Sequence, residues 1–233
     1  MSENLAQLSS TNSSNVAGNS PIYNAPKDSL MKYAEQSSNL PRPATPKGQA
    51  TRNKLLNAAE NEIGEKGFYT SSVNGITTRA GVGQGTFYLY FHSKEDVLRE
   101  LVHHMGQELR SLLTESSKGC TNRLQGEREG MRAFFEFVKQ RPNLYRVVME
   151  SQFVDPEIYR DYYDSFSRGY DKVLAAAAEN GELSPGDENT RGWALMGIGH
   201  FLGLAYPLWQ GETPTEEILD SVMDFIENGI GAK

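Results

Sequence analysis

The residues best suited to chemistry lie between Thr77 and Phe91, in the run TTRAGVGQGTFYLYF, and the chemistry they suit is recognition. Gln84, Thr86, Tyr88 and Tyr90 are short or planar hydrogen-bonding side chains set around Gly85, and Lys94 follows just beyond. A helix that reads base edges and flanking phosphates needs side chains of this kind on its outer face. Other chemistries fit less well. GVGQG has the glycines of a phosphate-binding loop but neither the preceding strand nor the Lys-Ser/Thr pair that completes a nucleotide site. His103 and His104 are adjacent, so they point to different helix faces and cannot share a metal, and Cys120 is the only cysteine, so neither a disulfide nor a cysteine-based metal site can form. No metal or cofactor is expected. The carboxylates Asp155, Glu157, Asp161 and Asp164 read as a solvated helix face, and no nucleophile, base and orienting group stand at a recognisable spacing.

Short helices must position the recognition run. Ile76, Ala80 and Val82 supply small apolar groups for an inner side, Gly81 lets the backbone turn, and Phe87 and Phe91 recur four apart on one face. Taken alone, TFYLYF alternates like a strand, but its neighbours favour a helix. A first helix is expected from Gln49 to about Lys66, with Leu55, Leu56, Ala59 and Ile63 as its stripe, Gly67 at its end, and Thr51 and Arg52 near phosphate at its exposed start. Ser71 or Ser72 caps a second short helix with Asn74 on its outer side. Ser93 opens a long helix striped by Val97, Leu98, Leu101, Val102, Met105, Leu109 and Leu112.

From Thr51 to about Leu101 the chain resembles the tetracycline-repressor-like (TetR/AcrR) family of bacterial transcription regulators. The resemblance rests on a first helix through RNKLLNAAENEIGEKGF, the Thr70-Ser71 step, and the ordered block ITTRAGVGQGTFYLYFHSKEDVL with its Gly-Thr-Phe-Tyr, Tyr-Phe and Ser-Lys-Glu-Asp elements. Gly83-Gln84 departs from the Ser-Lys of many members and removes an N-cap hydroxyl and a positive charge. The resemblance implies a DNA-binding regulator, a groove-facing role for Asn74, phosphate contacts from the start of the second helix at Ser72, and a homodimer joined by the last two helices as a four-helix bundle. Two-fold symmetry would then place two recognition helices about 34 to 36 Å apart on a palindromic double-stranded operator.

The formal charge of −7 argues against nucleic acid until the chain is divided: residues 42–110 carry 9 basic and 7 acidic groups, whereas residues 111–233 carry 12 and 20. The positive surplus coincides with the recognition run. Residues 1–46 are rich in Ser, Asn and Pro and are expected to form a disordered tail, and the basic Arg42 and Lys47 lie just before the first helix. Nothing near the N-terminus resembles a signal peptide and no membrane span is indicated, so a cytoplasmic protein is expected.

Beyond the long helix, further helical stripes follow to the C-terminus with no strand alternation. Phe134, Phe135, Tyr159, Tyr162, Tyr163, Phe166 and Tyr170 concentrate aromatic surface there, and several carry hydroxyls that need partners if buried, as around an apolar pocket with polar anchors. His200 is either a satisfied core histidine or a polar group aimed into that pocket. With few cationic residues evident nearby, the expected small-molecule effector is hydrophobic or aromatic, an acyl chain included. Trp193, Gly197, Phe201, Leu204, Val222, Phe225 and Ile226 are the candidates for the dimer interface.

The fold class read from these patterns is all-α: a three-helix helix-turn-helix DNA-binding domain over residues 47–95 and a helical ligand-binding and dimerisation domain over residues 96–233. The function read is a ligand-responsive transcription regulator, a repressor released from a palindromic operator, and not an enzyme. The alternative is a helical dimer that binds a small molecule or a protein without reading DNA.

Overall fold

The computed structural model describes Leu40 and residues 43–231, so the tail expected over residues 1–46 lies almost wholly outside the described residues. Helix α1 runs Pro46–Lys66, a turn earlier than the apolar stripe indicates. Thr45 caps it by accepting from the Gly48 N–H at 3.1 Å, and Pro46 supplies a preset φ at the first position. Helix α2 (Val73–Ala80) is capped by Ser72, whose Oγ accepts from Gly75 N at 3.0 Å. It stops at Gly81, where φ is +67°, a left-handed turn that a side chain would strain. Helix α3 spans only Gln84–Tyr88, and the run TFYLYF is not a strand. Phe87 and Phe91 are both fully buried, their ring centroids 5.6 Å apart. The burial of these rings fixes which face of α3 is left outside.

The rest of the described chain is also largely helical. Helix α4 (Lys94–Ser116) starts at the Ser93 cap, followed by α5 (Arg123–Gln140), α6 (Pro142–Val154), α7 (Pro156–Glu179) and α8 (Glu188–Gly203). The chain then winds as a π-helix over Leu204–Gln210, around Pro207, before α9 (Glu216–Ile230). Proline has no N–H to give an α-helical ladder, and a widened turn accommodates it. Among the described residues there is no strand beyond an isolated bridge between Leu183 and Gly231. Phe153 lies at the end of α6, cut off from the aromatics of α7 by Asp155-Pro156.

One apolar cluster runs from the head into the body, joining Leu55, Ile63, Ile76 and Phe87 to Leu144, Val148 and Tyr162. A second, formed by Met131, Phe135, Leu174, Leu195, Leu219 and Ile226, closes the far end. The boundary expected near residue 95 is therefore bridged by continuous packing. Helix α6 makes the bridge against α1. A Cβ on Gly64 would stand 2.5 Å from Asn143 Cβ and 2.7 Å from its Cα, so the two backbones meet where α1 has no side chain. Arg141, at the start of α6, donates to Glu60 of α1 at 2.7 Å and to Glu108 of α4 at 3.2 Å. Glu150 accepts from Phe68 N at 3.1 Å, and Arg99 of α4 pairs with Asp155 at 2.6 Å.

Inside the head, the buried Glu62 pairs with Lys66 at 2.7 Å and with Arg79 of α2 at 2.9 Å, tying α2 to α1. Burial raises the Glu62 pKa, but the hydrogen bonds and charges of Lys66 and Arg79 outweigh it and hold the carboxyl below its ordinary value.

Two expectations follow from these contacts. Gly64→Ala should lower the unfolding free energy by about 1–3 kcal/mol in urea titrations, the clash with Asn143 outweighing the ~1 kcal/mol that Ala gains over Gly in a helix. A carboxyl depressed on folding stabilises above its unfolded pKa, and that stability is lost as pH falls through the folded pKa. Glu62→Gln should therefore cost about 2 kcal/mol at pH 7, and the gap to wild type should close as acid titration passes below about pH 4.

Candidate nucleic-acid interface and internal cavity

With Phe87 turned inward, α3 leaves Gln84, Gly85 and Tyr88 exposed and Thr86 half-buried. Tyr88 is 55% exposed. Gln84 Nε2 donates to Asn74 Oδ1 at 3.3 Å, so α2 and α3 present a linked pair of amides on one surface. Ser72 is exposed, with its hydroxyl engaged in the cap, and Tyr90 is half-buried with its hydroxyl close to Gly48 at the start of α1. Thr51 is half-buried and donates to Lys47 O at 3.0 Å. Leu89, not among the sequence candidates, is an exposed apolar side chain beside Tyr88.

Both cations chosen as phosphate contacts are directed elsewhere. Arg52 pairs with Glu100 of α4 at 2.6 Å and lies 5.1 Å from the centroid of the Phe91 ring. Lys94 donates to the carbonyls of Phe68 and Ser71, the latter at 2.8 Å, and sits 4.2 Å from the centroid of the Phe68 ring. Its ammonium pKa is lowered by burial, with the charge of Glu95 opposing the shift. In the DNA-free chain these residues, expected to meet phosphate, tie α1, the α1–α2 turn and α4 together. Lys47 and Lys54 are exposed, share a helix face with Thr51, and pair with no described carboxylate.

In the body, α4, α5, α7 and α8 enclose a cavity of about 270 Å³. Gly126, Gly130, Gly169 and Gly199 lie in its wall, where absent side chains leave space between the helices. Of the aromatic candidates, Phe134, Tyr162, Tyr163, Phe166 and Tyr170 line it, as does His200. Phe135 and Tyr159 do not. Phe135 points the other way into the second cluster, and Tyr159 packs edge-on against Tyr163 with centroids 5.0 Å apart. His200 is both things the sequence offered: it lines the cavity, and its Nδ1 has the Tyr145 hydroxyl at 2.7 Å and the Tyr163 hydroxyl at 3.2 Å. Burial lowers the imidazole pKa and pushes both phenols far above their ordinary value, so neutral hydroxyls face a neutral ring.

Polar residues that periodicity passed over also line the cavity. Arg110 comes from α4 and Tyr145 from α6, while Arg123 and Glu127 are paired on α5 at 2.5 Å. The Tyr170 hydroxyl donates to Glu127 at 2.7 Å. The expectation of few cationic groups is corrected by the two arginines. The i, i+4 spacing of Arg123 and Glu127 was the available signal for one of them.

At the far side of α8, Gly197, Phe201, Val222 and Phe225 surround a shallow apolar groove shared with α9. Phe201 is 68% and Phe225 71% exposed. Leu204 and Ile226, placed at the interface on the same spacing, are buried in the two clusters instead. Trp193 is half-buried, its ring 6.4 Å from that of Tyr163. Gly203 serves internal packing, since a Cβ there would lie 2.8 Å from Phe134 Cε1. Among the described residues no cluster of ligating side chains could hold a metal ion, and no helix is long and apolar enough to cross a membrane.

The family model for bacterial regulatory proteins of the tetR family matches residues 55–101, the segment from α1 to the first turns of α4. YdgC of Bacillus subtilis, an HTH-type transcriptional regulator, is 44% identical over 70 residues, covering 30% of this chain and 35% of that protein. Alignments with several such curated relatives cover only 28% to 49% of their lengths. The HTH-type transcriptional repressor LfrR of Mycolicibacterium smegmatis aligns more fully, 26% identical over 78% of this chain and 91% of the repressor. The crystal structure of the transcriptional regulator FadR from Bacillus subtilis, in complex with stearoyl-CoA, shares the fold: TM-score 0.66, 22% identity, 75% of this chain and 97% of that one. These relatives are regulators and not enzymes. Residues 55–101 thus carry the helix-turn-helix block of the tetR family of bacterial regulatory proteins, and the helical body shares the fold of the solved regulators.

Proposed function

We propose that the protein is a ligand-responsive, sequence-specific DNA-binding transcription regulator, a repressor released from a palindromic operator by a small hydrophobic effector. The observation that carries this reading is the exposed face of Gln84, Thr86 and Tyr88, held outward by the buried Phe87 and Phe91 on a head packed against the body that holds the cavity. Gln84, Asn74 and Tyr88 meet bases or sugar-phosphate, and Lys47, Thr51, Lys54 and Ser72 meet the flanking backbone. Arg52 and Lys94 support this surface from within.

The groove of α8 and α9 forms the homodimer contact, with Phe201 and Phe225 as its apolar anchors. Coupling to the effector runs through α6. Tyr145 on this helix faces the cavity and bonds His200, while Arg141, Asn143 and Glu150 on the same helix hold α1 and its exit turn. A ligand that displaces Tyr145 moves the bracing of both heads and changes their spacing against successive major grooves. It acts only through differential affinity: a swing from 1:99 to 99:1 requires about 5.5 kcal/mol in favour of the released conformer. The stearoyl-CoA bound by the Bacillus subtilis relative supports a hydrophobic effector. Such a regulator works in the cytoplasm, where the DNA is.

On an operator recovered from a random duplex pool, Tyr88→Ala should weaken binding by about 1–3 kcal/mol per head, while dimerisation and ligand binding stay unchanged. Unaltered affinity would favour a dimeric binding module without DNA readout. In analytical ultracentrifugation, Phe225→Glu should shift the protein from dimer to monomer. A variant that sediments as wild type would remove the α8–α9 interface.

A further inference from the structure

The cavity carries more positive charge than its walls neutralise. Arg110 Nη1 donates to Ser165 Oγ at 2.7 Å, and the guanidinium carbon lies 5.5 Å from the centroid of the Phe166 ring. No carboxylate among the described residues pairs with Arg110. Gly106, one turn earlier on α4, makes room for this conformation, because a Cβ there would lie 3.0 Å from Nη1. The other ionisable groups in the wall cancel or are neutral. Arg123 is matched by Glu127 at 2.5 Å, burial lowers the His200 pKa, and burial raises those of Tyr145, Tyr162, Tyr163 and Tyr170. Arg110 thus faces a largely apolar space without a counter-ion.

Two further features point the same way. Arg168, exposed on α7 and also unpaired among the described residues, adds positive charge that acts on Arg110. Nε of Arg123 is buried with no hydrogen-bond partner, a donor in the same wall that lacks an acceptor. A neutral ligand would displace water from the Arg110 guanidinium and leave it uncompensated, a costly arrangement in a low dielectric. A cation would be repelled. A carboxylate accepts from the planar fork in charge-assisted bonds, at short range and with a defined orientation.

We propose that the effector is an amphipathic organic acid whose carboxylate is held by Arg110 beside Ser165 and whose apolar body lies between Phe134, Tyr162 and Phe166. This rests on the reading of the cavity as the effector site. It specifies what that reading leaves open, a charged end on a hydrophobic molecule, and it assigns Arg110 as the residue that selects acids over their neutral analogues.

The test is isothermal titration of the full chain, without DNA, with n-alkanoates from hexanoate to tetradecanoate and 4-phenylbutyrate, each against the alcohol of the same skeleton. Wild type should favour the acid by at least about tenfold. Arg110→Gln should abolish the preference while binding the alcohol within about twofold of wild type, and Arg110→Lys should restore part of it through charge without the planar fork. Thermal melts followed by circular dichroism establish that the variants are folded. Equal binding of acid and alcohol across the series, no binding of any alkanoate, or an undiminished preference in Arg110→Gln would each overturn the proposal. Operator binding is measured separately. An acid that binds through Arg110 but leaves operator affinity unchanged would contradict the regulatory reading alone, whereas equal release by acid and alcohol would contradict the inference alone.

Discussion

The close approach of α1 to α6 is the contact on which the rest of the arrangement depends. It exists because Gly64 has no side chain where Asn143 arrives, and Arg141 locks it by reaching both Glu60 on α1 and Glu108 on α4. Steric fit sets the distance between the helices and the forked ion pair sets their orientation. A head joined to its body only by the covalent continuation of α4 would pivot freely about one helix. With α6 wedged against α1, a displacement of either is felt by the other.

The same helix carries Tyr145, whose hydroxyl meets His200 in the cavity wall. The exposed α3 face and the cavity thus lie at two ends of one packed path, Phe87 and Phe91 at one end, Tyr145 and Tyr162 at the other. The core continuous across the expected domain boundary has this consequence: the head is a separate unit in sequence but shares its apolar packing with the body. Coupling between such sites needs only a packed element with distinct positions that both ligands bias.

Local rules were legible in the sequence. Ser93 and Gly81 punctuate the helices as their types require, and the four-residue interval of Phe87 and Phe91 gave the buried face of α3, hence the exposed Gln84 and Tyr88. What escaped depended on partners remote in the chain. Arg52 reads as an exposed cation until Glu100, 48 residues away, is placed beside it, and Lys94 is claimed by carbonyls more than twenty residues earlier. Adjacent Phe134 and Phe135 share a helical stripe, yet one lines the cavity and the other fills the second core, because α5 packs on two sides. On α8 and α9, Leu204 and Ile226 belong to the core while Phe201 and Phe225, three and one positions away, are exposed. Periodicity identifies an apolar face and not its neighbour. Arg110 escaped for the opposite reason, since a lone arginine beside an apolar stripe reads as solvated until the cavity is seen.

The measurement that bears most directly on this account is operator affinity across a titration with the tightest-binding member of the alkanoate and alkanol series, in wild type and in Arg141→Met. The variant cuts the tie from α6 to α1 and α4 and leaves the cavity wall and the α3 face intact. The account predicts that the ligand weakens operator binding in wild type and that the factor shrinks in the variant, with the reciprocal effect of operator on ligand affinity reduced equally. A ligand that saturates the wild-type cavity while operator affinity stays constant, or a coupling factor unchanged in Arg141→Met, would contradict it.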